Sequence, residues 1–479
     1  PLNRLSDATL AQVRAPVRTP AYDRAAVRIG VVHFGPGAFH RAHQAFYFDE
    51  MLKRRSDFGV CAVSLRSPDV RDALSPQGGL YTLAEMEAEP AYRVIGAIRE
   101  LLVAPEDPEA VFRRLVSPDV RYVTSTVTEK GYCLTTAGEL DLAHPDVQRD
   151  LAQPDRPTSL PGWIVEALRR RREGGLAPFT AISCDNLSDN GVKLRRAVLQ
   201  LAEAGGQHDL ARWIAAEARF PSSMVDSITP ATDDALRGQV AGVLGLEDAW
   251  PIQRERFTQW VVEDQLGSDA AAFAAAGVTV AREVAPFERA KLRLLNGAHS
   301  TLAYVGLALG RETVFEAMQE PALARFVERM MREDVTPTLD APELDVPTYI
   351  GDVLTRFRNP AIVHKLSQIA WDGSQKLRFR LLETAQDALA AGRPVDRLAV
   401  GVAAWIGFVV RQTGAGERVV DPLADRLALT ATGGCDPVER FLHLDQVFPP
   451  ALAADPRFRS AVARAYDALA NDPASALAA

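Results

Sequence analysis

Four residues of types that can move protons or stabilise charge lie within one short stretch of the sequence. They are a carboxylate, an amine, an amide and an imidazole, at Glu288, Lys291, Asn296 and His299. A lysine or a histidine can take a proton from a reacting hydroxyl, and an amide N–H can stabilise the negative charge that then develops on the oxygen. Lysine is rare in this chain, with six lysines against 48 arginines. Because arginine keeps its proton in proteins, a lysine at this point favours acid–base chemistry.

The stretch that carries these residues has the pattern of a single helix over residues 287–309. The apolar residues that recur at helical spacing are Leu292, Leu295, Leu302 and Val305, and no proline interrupts them. At about 100° per residue, one face carries Glu288, Lys291, Leu295 and His299, with Asn296 on its flank. The alternative is an amphipathic helix whose polar face is merely solvated. That alternative fits poorly, because asparagine, glycine and histidine are mediocre helix formers that a solvated face does not need.

A glycine turn follows the first β-branched run of the chain. Residues 27–34 predict a buried strand, Gly35 and Gly37 come directly after it, and residues 41–54 have helical periodicity. Strand, glycine turn and helix are the context of a dinucleotide-binding fingerprint, in which the glycines let the backbone approach a pyrophosphate. His40 stands where such a fingerprint has its third glycine, so a plain strand-to-helix turn is the alternative.

Polar residues at the ends of later predicted strands are placed to contact such a cofactor. The strand over residues 59–65 is followed by Arg66 and Asp69. An acidic residue there binds the adenosine ribose of NAD, whereas a basic one accommodates the 2′-phosphate of NADP. Asp69 favours NAD, and Arg66 leaves NADP open. The residues in position to approach the nicotinamide, at the ends of two further strands, are Thr128, Glu129 and Asn186.

Strands alternate with helices in the first part of the chain, and helices follow one another in the rest. The predicted strands cover residues 27–34, 59–65, 121–128 and 179–184, and helices between them cover residues 160–173 and 190–216. Beyond about residue 282 the predicted helices cover residues 287–309, 312–333, 347–370, 376–391, 395–412, 438–447 and 456–470. We therefore expect an α/β, Rossmann-like domain with a mostly parallel sheet over residues 1–282, and an all-α substrate-binding and catalytic domain over residues 283–479.

The composition narrows the class of protein and its partners. A chain of 479 residues with 47% hydrophobic residues is typical of a globular protein of two domains. Its net charge of −8 argues against a nucleic-acid partner. No apolar run approaches the length of a membrane span, and no charged-then-apolar signal segment is present, so we expect a cytoplasmic protein without a membrane partner.

Cysteines and histidines give no sign of a metal site in the sequence. The four cysteines lie far apart, at Cys61, Cys133, Cys184 and Cys435. Their spacing predicts neither a disulfide framework nor a zinc site, and we expect mostly buried, reduced thiols. His40 and His43 are three residues apart, but no carboxylate or cysteine completes a metal site near them. We expect these two histidines to serve helix packing and anion contacts.

Three motifs carry a resemblance that covers the chain from residue 29 to about residue 470. They are Lys291-x-x-x-x-Asn-x-x-His299, Gly35-Pro-Gly-Ala-Phe-His-Arg-Ala-His-Gln44 and Trp371-Asp-Gly-Ser-Gln-Lys376. Together they resemble the polyol-specific long-chain dehydrogenases, the family of mannitol 2-dehydrogenase and the hexuronate oxidoreductases. The resemblance implies an NAD-dependent enzyme, a monomer or small homo-oligomer, whose fingerprint residues Gly35, Gly37, Ala38 and Phe39 bind the cofactor.

Hydride transfer to a nicotinamide requires that the protein handle the proton of the alcohol. Zinc-dependent alcohol dehydrogenases need a Cys/His ligand set, which this sequence lacks. Short-chain enzymes use Tyr-x-x-x-Lys, and none of the nine tyrosines has a lysine four residues later. A metal-free lysine base remains, and Lys291 is the candidate. Asn296 is a candidate donor to the alkoxide, His299 would orient a neighbouring hydroxyl, and Glu288 could relay the proton.

The resemblance adds two catalytic residues and a substrate-binding segment. Asn186 matches the position of a second alkoxide donor, and Asp226 matches an acid that helps to hold the lysine. Taken singly, such residues are more often caps and turn formers, so the combination carries the hypothesis. Lys376 lies in a stretch that resembles the family's substrate-binding segment, for which a helix–turn–helix junction is the alternative.

The substrate hypothesis depends on residues near Lys376. Mannitol dehydrogenases tend to carry an arginine where this chain has Gln368, and the surrounding sequence looks closer to fructuronate reductase (D-mannonate oxidoreductase). That family has Pro-Gln where this chain has Arg378-Phe379, a departure within the predicted pocket. A hexonate carboxylate favours a guanidinium partner, for which Arg380 is the candidate. We expect D-mannonate/D-fructuronate first, and D-mannitol/D-fructose or another polyol such as D-arabinitol second. A non-catalytic nucleotide-binding regulator is the distant alternative.

Overall fold

The computed structural model describes residues 2–434 and 436–478. The chain forms two compact units, Pro1–Ala285 and Pro286–Ala479. The first unit contains three β-sheets with helices, and the second unit is helical, as far as its described residues go. No helix in the described part of the chain is both long and apolar enough to cross a membrane.

The first unit supplies the strands and ten of the helices of the described residues. The strands are β1 (Ile29–Phe34), β2 (Gly59–Ser64), β3 (Tyr81–Met86), β4 (Ala91–Ile95), β5 (Ile98–Val103), β6 (Tyr122–Ser125), β7 (Thr180–Ser183), β8 (Ser223–Asp226), β9 (Ile252–Glu255), β10 (Gln259–Glu263) and β11 (Thr279–Ala281). The α-helices are α1 (Ala38–Ala42), α2 (Gln44–Leu52), α3 (Asp69–Leu74), α4 (Pro108–Leu115), α5 (Pro145–Ala152), α6 (Leu160–Glu173), α7 (Asn190–Ala204), α8 (His208–Glu217), α9 (Asp234–Leu244) and α10 (Ala270–Ala275).

The main sheet has five parallel strands in the order β5-β2-β1-β6-β7. Both of its faces are covered, so Val31 packs into one hydrophobic core while Val32 and Phe34 pack into another. Burial on both faces explains why these strands are continuous apolar runs in the sequence. The predicted fold class of the first domain is confirmed.

The strand order of the main sheet reverses at β1. Strands β2 and β5 lie on one side of β1, and β6 and β7 lie on the other. Phe34 at the end of β1 is paired with Val63 of β2 and with Ser125 of β6, so the three carboxyl ends meet at one edge. In open α/β sheets, ligands bind outside the carboxyl ends of the strands at such a reversal. The turn at Gly35 lies at this point.

Two three-stranded sheets were not predicted from the sequence, and neither was β5. Their orders are β11-β10-β8 and β4-β3-β9, and each contains one parallel and one antiparallel pair. Several of these strands contain charged residues and so lack the continuous apolar run of a buried strand; β9, for example, is Ile-Gln-Arg-Glu. The predicted helix over residues 190–216 is also wrong as a single element. It divides into α7 and α8 at Gly205 and Gly206, the second of which has a φ of +72°.

The described part of the second unit is built from helices, and three of its described stretches are π-helical. The α-helices are α11 (Ala285–Ala290), α12 (Gly297–Ala308), α13 (Val314–Met318), α14 (Pro321–Arg329), α15 (Val346–Phe357), α16 (Leu366–Ile369), α17 (Gly373–Leu377), α18 (Glu383–Ala390), α19 (Asp396–Gly414), α20 (Ala424–Ala431), α21 (Pro437–Leu442), α22 (Pro450–Ala454) and α23 (Pro456–Asn471). The π-helical segments are Lys291–Asn296, Met330–Val335 and Arg378–Leu382. The long helix α19 lies centrally, with α12 and α23 packed against it.

Several predicted helices of this unit are shorter or interrupted. The prediction over residues 347–370 is wrong in its middle, because α15 ends at Phe357 and α16 begins only at Leu366. Pro360 lies in the gap, and proline disfavours a helical conformation in the residue before it. The predictions over residues 312–333 and 376–391 each contain two α-helices and a π segment.

Three of the four cysteines are described, and all three are buried free thiols. They are Cys61, Cys133 and Cys184. The prediction for Cys435 lies outside the described residues. Burial raises the pKa of each described thiol, so these cysteines stay protonated near neutrality and behave as core residues.

Candidate functional site

The glycine turn after β1 contains one glycine that packing requires and one that it does not. Gly35 has a φ of +88°, and a Cβ atom on it would lie 2.2 Å from the backbone oxygen of Thr126, after β6. Gly37 precedes α1 in an extended conformation, and a Cβ atom there would meet no described atom within 4 Å. The space above Gly37 is therefore open to a ligand. A pyrophosphate that approaches the backbone fits this opening.

His40, in place of a third glycine, packs the helix onto the sheet. Its ring lies flat against that of His33 in β1, with 3.4 Å between the ring centroids and 13° between their planes. Its Nδ1 atom is 3.1 Å from Oε1 of Gln44, and Nε2 of His43 is 2.8 Å from the carbonyl oxygen of Gln259. A stacked pair of flat rings thus gives the close strand–helix contact that a glycine gives elsewhere. The expected role of these histidines in helix packing is confirmed, and their expected anion contacts stay a prediction.

The adenosine end of the candidate cofactor site has a cavity of about 430 Å³. Arg66 and Ala104 line it from the ends of β2 and β5, and Arg149 and Arg156 line it from α5 and the following loop. Asp69, the first residue of α3, is exposed and is not among the described lining residues. Sequence reasoning missed the two additional arginines, because they lie far from any strand end in the sequence.

A cluster of potential metal ligands lies beside this cavity. One ligand atom each from Cys133, His144 and Asp146 fits within 4.8 Å of the others. However, Nδ1 of His144 accepts the backbone N–H of Asp146 at 3.1 Å and so caps α5. That bond uses the Nδ1 lone pair and fixes the proton on Nε2, so a metal would have to break the cap. The cap explains the position of His144 without a metal.

The predicted nicotinamide contacts lie on the loops after β6 and β7. Thr128 has a φ of +65°, which is rare for a residue with a side chain, and Glu129 follows it. Asn186 is exposed, three residues beyond the end of β7. Asp185, between β7 and Asn186, binds the backbone N–H groups of Val127 and Thr128 at 3.1 and 2.9 Å. The Asp185 carboxylate therefore links the loop after β7 to the loop after β6 by direct hydrogen bonds.

The helix that carries Lys291 is not a single α-helix, and the predicted face needs correction. Lys291–Asn296 is π-helical between α11 and α12. A π-helix has about 4.4 residues per turn and hydrogen bonds between residues i and i+5, so Asn296 is roughly 50° from Lys291 around the helix. In an α-helix the two residues would be about 140° apart, so the π segment brings Asn296 from the flank toward the face of Lys291. Leu295 is 3% exposed and packs in the core, while Lys291 and Asn296 are both half-buried.

The remaining residues predicted to act with Lys291 lie in different surroundings. Glu288 is half-buried on α11, and Asn296, at the start of α12, makes no capping hydrogen bond with its side chain within the described structure. Asp226 is buried at the end of β8, paired with Gln259 of β10. The amide of Asn296 is thus not occupied as a helix cap, which was the structural alternative for it.

Gly297 lets another segment approach the start of α12. A Cβ atom on Gly297 would lie 2.7 Å from the backbone oxygen of Arg380, in the π segment Arg378–Leu382. At this contact the Arg380 guanidinium donates to Oγ of Ser300 at 3.2 Å. The glycine that is a poor helix former in the sequence therefore places Arg380 beside the helix that carries Lys291.

The imidazole of His299, on α12, packs against the imidazole of His364. His299 is 7% exposed, and its ring lies 4.8 Å from the Phe357 ring and 5.0 Å from the His364 ring, centroid to centroid. Burial lowers the pKa of His299 well below its ordinary value, and it lowers the pKa of His364 as well. Both imidazoles are therefore neutral near pH 7. Sequence reasoning missed His364, which has no neighbouring motif.

Three cationic side chains lie within electrostatic range of this imidazole pair. Arg356, Arg380 and Lys376 each lower the pKa of both histidines, and on His299 their effects follow those of burial and of His364. Burial, and then Arg380, lower the pKa of Lys376, and burial lowers that of Arg380 to about 10. The acids that act nearby are Asp372 and Asp421 on Lys376, and Asp352 beside Arg356. This cationic cluster of Arg356, Lys376 and Arg380 favours an anionic ligand. Arg356 was not predicted, and Gln368 is exposed on α16.

Two family models match the chain, one for each part. The mannitol dehydrogenase Rossmann domain matches residues 29–272, and the mannitol dehydrogenase C-terminal domain matches residues 283–470. The chain belongs to the mannitol dehydrogenase family. The family predicted from the three motifs is confirmed, and with it an oxidoreductase that acts on CH–OH groups.

Relatives in this family match over almost their whole length. The Escherichia coli uncharacterized oxidoreductase YeiQ is 41% identical over 96% of both chains, and an Aspergillus terreus mannitol 2-dehydrogenase is 38% identical over 98% of this chain and 97% of its own. Among solved structures, a substrate-free D-sorbitol dehydrogenase has a TM-score of 0.93 at 33% identity. The Pseudomonas fluorescens mannitol 2-dehydrogenase, in a ternary complex with NAD and D-mannitol, has a TM-score of 0.78 at 37% identity. Each covers 99% of both chains. A nicotinamide cofactor fits the Rossmann domain and its open Gly37 turn.

In this mannitol dehydrogenase family member, replacement of Gly297 by alanine should displace Arg380. The added methyl would force the contact at 2.7 Å apart, which we expect to cost about 1–3 kcal/mol of unfolding free energy and to lower kcat/KM. Gly351→Ala in α15 is the matched control, because its Cβ would meet no described atom within 4 Å. That control should be neutral or slightly stabilising. Urea unfolding and initial rates measure both effects, and equal behaviour of the two variants would contradict the role of Gly297.

Acid should weaken the glycine-turn region through His40. Burial lowers the pKa of His40 to about 3, whereas in the unfolded chain it titrates near 6.5. Between these values the unfolded state binds one more proton, so stability is fully present above about pH 6.5 and falls as the pH is lowered, by about 1.4 kcal/mol per pH unit. Urea unfolding between pH 7 and pH 5 should show a shallower decline for His40→Gln than for the wild type. Parallel declines would contradict the assignment.

Proposed function

We propose that the protein is an NAD-dependent oxidoreductase that interconverts a secondary alcohol and a ketone on an open-chain sugar acid, D-mannonate/D-fructuronate. The observation that supports the anionic substrate is the cationic cluster of Arg356, Lys376 and Arg380 around His299. A neutral polyol needs only hydroxyl partners. A bound carboxylate would offset the mutual repulsion of the three cationic side chains in the cluster.

The cofactor residues that we propose follow the edge of the main sheet. Gly35, Gly37, Ala38 and Phe39 would hold the pyrophosphate, and Arg66 and Asp69 the adenosine ribose. We expect NAD, since Asp69 can bind the ribose hydroxyls, although Arg66 lines the cavity at this end. Thr128, Glu129 and Asn186 would contact the nicotinamide. When bound, the nicotinamide supplies the hydride acceptor for alcohol oxidation.

The proton chemistry is assigned to Lys291. In the oxidation direction its amine accepts the proton of the reacting hydroxyl, and in the reduction direction its ammonium returns it. The amides of Asn296 and Asn186 would donate hydrogen bonds to the oxygen as it gains negative charge. The π segment supports this pairing, because its wider turn brings Asn296 nearer to the face of Lys291 than an α-helix would. Glu288 would pass the proton to solvent, and Asp226 would help to hold the lysine.

Substrate orientation is assigned to His299 and the cationic cluster. A neutral imidazole can donate one hydrogen bond and accept another, so His299 is suited to a hydroxyl next to the reacting carbon. Lys376 and Arg380 would bind the carboxylate end, and Gln368 an outer hydroxyl. Metal ions have no assigned part in this mechanism.

A second candidate is mannitol 2-dehydrogenase activity, on D-mannitol/D-fructose. The names of the curated relatives favour it, since several are mannitol 2-dehydrogenases with 37–38% identity. Another polyol, such as D-arabinitol, fits the same chemistry. With such a neutral substrate the cationic cluster would bind hydroxyl groups, and no substrate carboxylate would balance its positive charge.

NADH consumption by the purified protein, measured separately with D-fructuronate and D-fructose, tests the proposal. We expect kcat/KM to be at least ten times higher for fructuronate. A preference for fructose would establish the mannitol alternative and contradict the role of the cluster. Binding of NADH without turnover of either ketose would contradict both substrate assignments.

A further inference from the structure

We propose that Asp185 is the positioning residue for the nicotinamide end of the cofactor site, acting through the backbone of Thr128 and the hydroxyl of Tyr132. The inference rests on the proposed binding of the nicotinamide at the loops after β6 and β7. Asp185 itself does not need to touch the cofactor, since its contacts lie within the protein.

The conformation of Thr128 needs external support. Its φ of +65° and ψ of +166° lie in a region that is accessible almost solely to glycine. A threonine persists there only when its surroundings fix it, and such outliers concentrate at ligand-binding sites. Thr128 begins the loop that carries Glu129, so this conformation sets the direction of both side chains.

The carboxylate of Asp185 provides that support. Its Oδ1 accepts the N–H of Thr128 at 2.9 Å, and its Oδ2 accepts the N–H of Val127 at 3.1 Å and the hydroxyl of Tyr132. All three partners are donors, so the position requires a group that only accepts hydrogen bonds. An asparagine would fit the space but would turn its NH2 group toward one of these donors.

Tyr132 and Asn190 fix Asp185 to the sheet. The buried Tyr132 hydroxyl lies 2.6 Å from Oγ of Ser183 and 3.1 Å from Oγ of Ser125, at the ends of β7 and β6. The Asn190 amide donates to the carbonyls of Ser183 and Asp185, at 3.1 Å each. Asn186 therefore lies between two residues, Asp185 and Asn190, that are both held by hydrogen bonds. One network orients Thr128, Glu129 and Asn186 together.

Asp185→Asn tests the inference through two ligands that differ in the nicotinamide. We expect the Kd of NADH to rise at least tenfold, while the Kd of ADP, which lacks the nicotinamide half, changes less than twofold. kcat should fall at least tenfold. An equal loss of affinity for both ligands would indicate general damage, and unchanged NADH affinity with unchanged kcat would show that Asp185 has no positioning role. Either result would overturn the inference.

A matched control and a rescue sharpen the test. Asp248 is buried and, like Asp185, accepts two backbone N–H groups, from Thr82 at 2.6 Å and Trp250 at 3.0 Å, so Asp248→Asn should lower stability without separating NADH from ADP. Glycine adopts the Thr128 conformation without strain, so Thr128→Gly added to Asp185→Asn should restore part of the NADH affinity. A double variant that binds NADH no better than Asp185→Asn would contradict the strain argument.

The binding arms are independent of the substrate assignment. If the wild type binds NADH but turns over neither ketose, the proposed substrates fail while the comparison of NADH with ADP still decides the role of Asp185. If the wild type is active and Asp185→Asn does not separate the two ligands, the positioning role fails alone.

Discussion

Replacement of Lys291 by alanine is expected to lower kcat by about 10²–10⁴-fold while NADH binding is retained. This range is the usual contribution of a positioned general acid–base group. Lys291 is the first residue of the π segment and is half-buried, and Asn296 lies on the same side of that segment. Removal of the amine leaves the alcohol proton without an acceptor, whereas the glycine turn and the ends of the main sheet are untouched. Steady-state rates and NADH titration measure the two effects separately.

Lys53→Ala is the matched control for this experiment. Lys53 lies at the end of α2, and its ammonium forms a surface ion pair with Glu50 at 2.8 Å. Such exposed pairs contribute about 0–1 kcal/mol, so activity and stability should both stay near the wild type. Normal turnover by Lys291→Ala would show that another group moves the proton. The distant alternative of a non-catalytic regulator has no need of Lys291, and it predicts a wild type that binds NADH without turnover.

Replacement of Arg380 by alanine is expected to act mainly on the charged substrate. A hydrogen bond to a charged group contributes about 1.5–3 kcal/mol, which corresponds to roughly a tenfold to 150-fold loss of kcat/KM for fructuronate. Activity with fructose, which has no carboxylate, should change much less. Arg380 is held at this place by Gly297 and Ser300, so its guanidinium does not need to be ordered by the substrate.

Arg378→Ala provides the control within the same π segment. Arg378 is exposed, 3.7 Å from Glu383, and its guanidinium lies over the Phe379 ring. The replacement Arg378→Ala therefore removes an equal positive charge two residues from Arg380, from a side chain that is not part of the cationic cluster. Equal effects of the two replacements would indicate a long-range influence of charge, and an equal loss with fructuronate and fructose would contradict carboxylate binding by Arg380.

The first unit is predicted best where a single sequence feature, such as an apolar run or a glycine, corresponds to a single strand or turn. The run before Gly35 is apolar because both faces of β1 are buried, and the glycine is required because a side chain would strike Thr126. The small sheets escape prediction, because strands such as β9, Ile-Gln-Arg-Glu, lack the largely apolar run that marks β1 and β2. His40 shows that a broken fingerprint can keep its geometry, since a stacked ring replaces the expected glycine.

In the second unit, residue type points to candidates, whereas helical periodicity misses their arrangement. Lys291, Asn296 and His299 stand out by type, but helical periodicity assumes 3.6 residues per turn and so placed Asn296 too far from the face of Lys291. Arg356 and His364 come from elements distant in the sequence, and only the packing of α12 against its neighbours brings them to His299. Such convergence depends on tertiary contacts that a single sequence does not encode locally.

The π segment also makes the site depend on the hydrogen-bond register of one helical turn. If Lys291–Asn296 changed to ordinary i to i+4 hydrogen bonding at its present length, the residues from Asn296 through His299 would rotate by roughly 90° relative to Lys291. The hydrophobic residues would still belong to a helix, and each side chain named in the mechanism would still be present. A π turn is an α-helix with one residue added, so loss of one residue together with this change would return Asn296 to about the present face of Lys291. A change of register alone would therefore separate Lys291 from Asn296 without altering one residue, whereas conservative replacements at exposed Leu292 should be harmless.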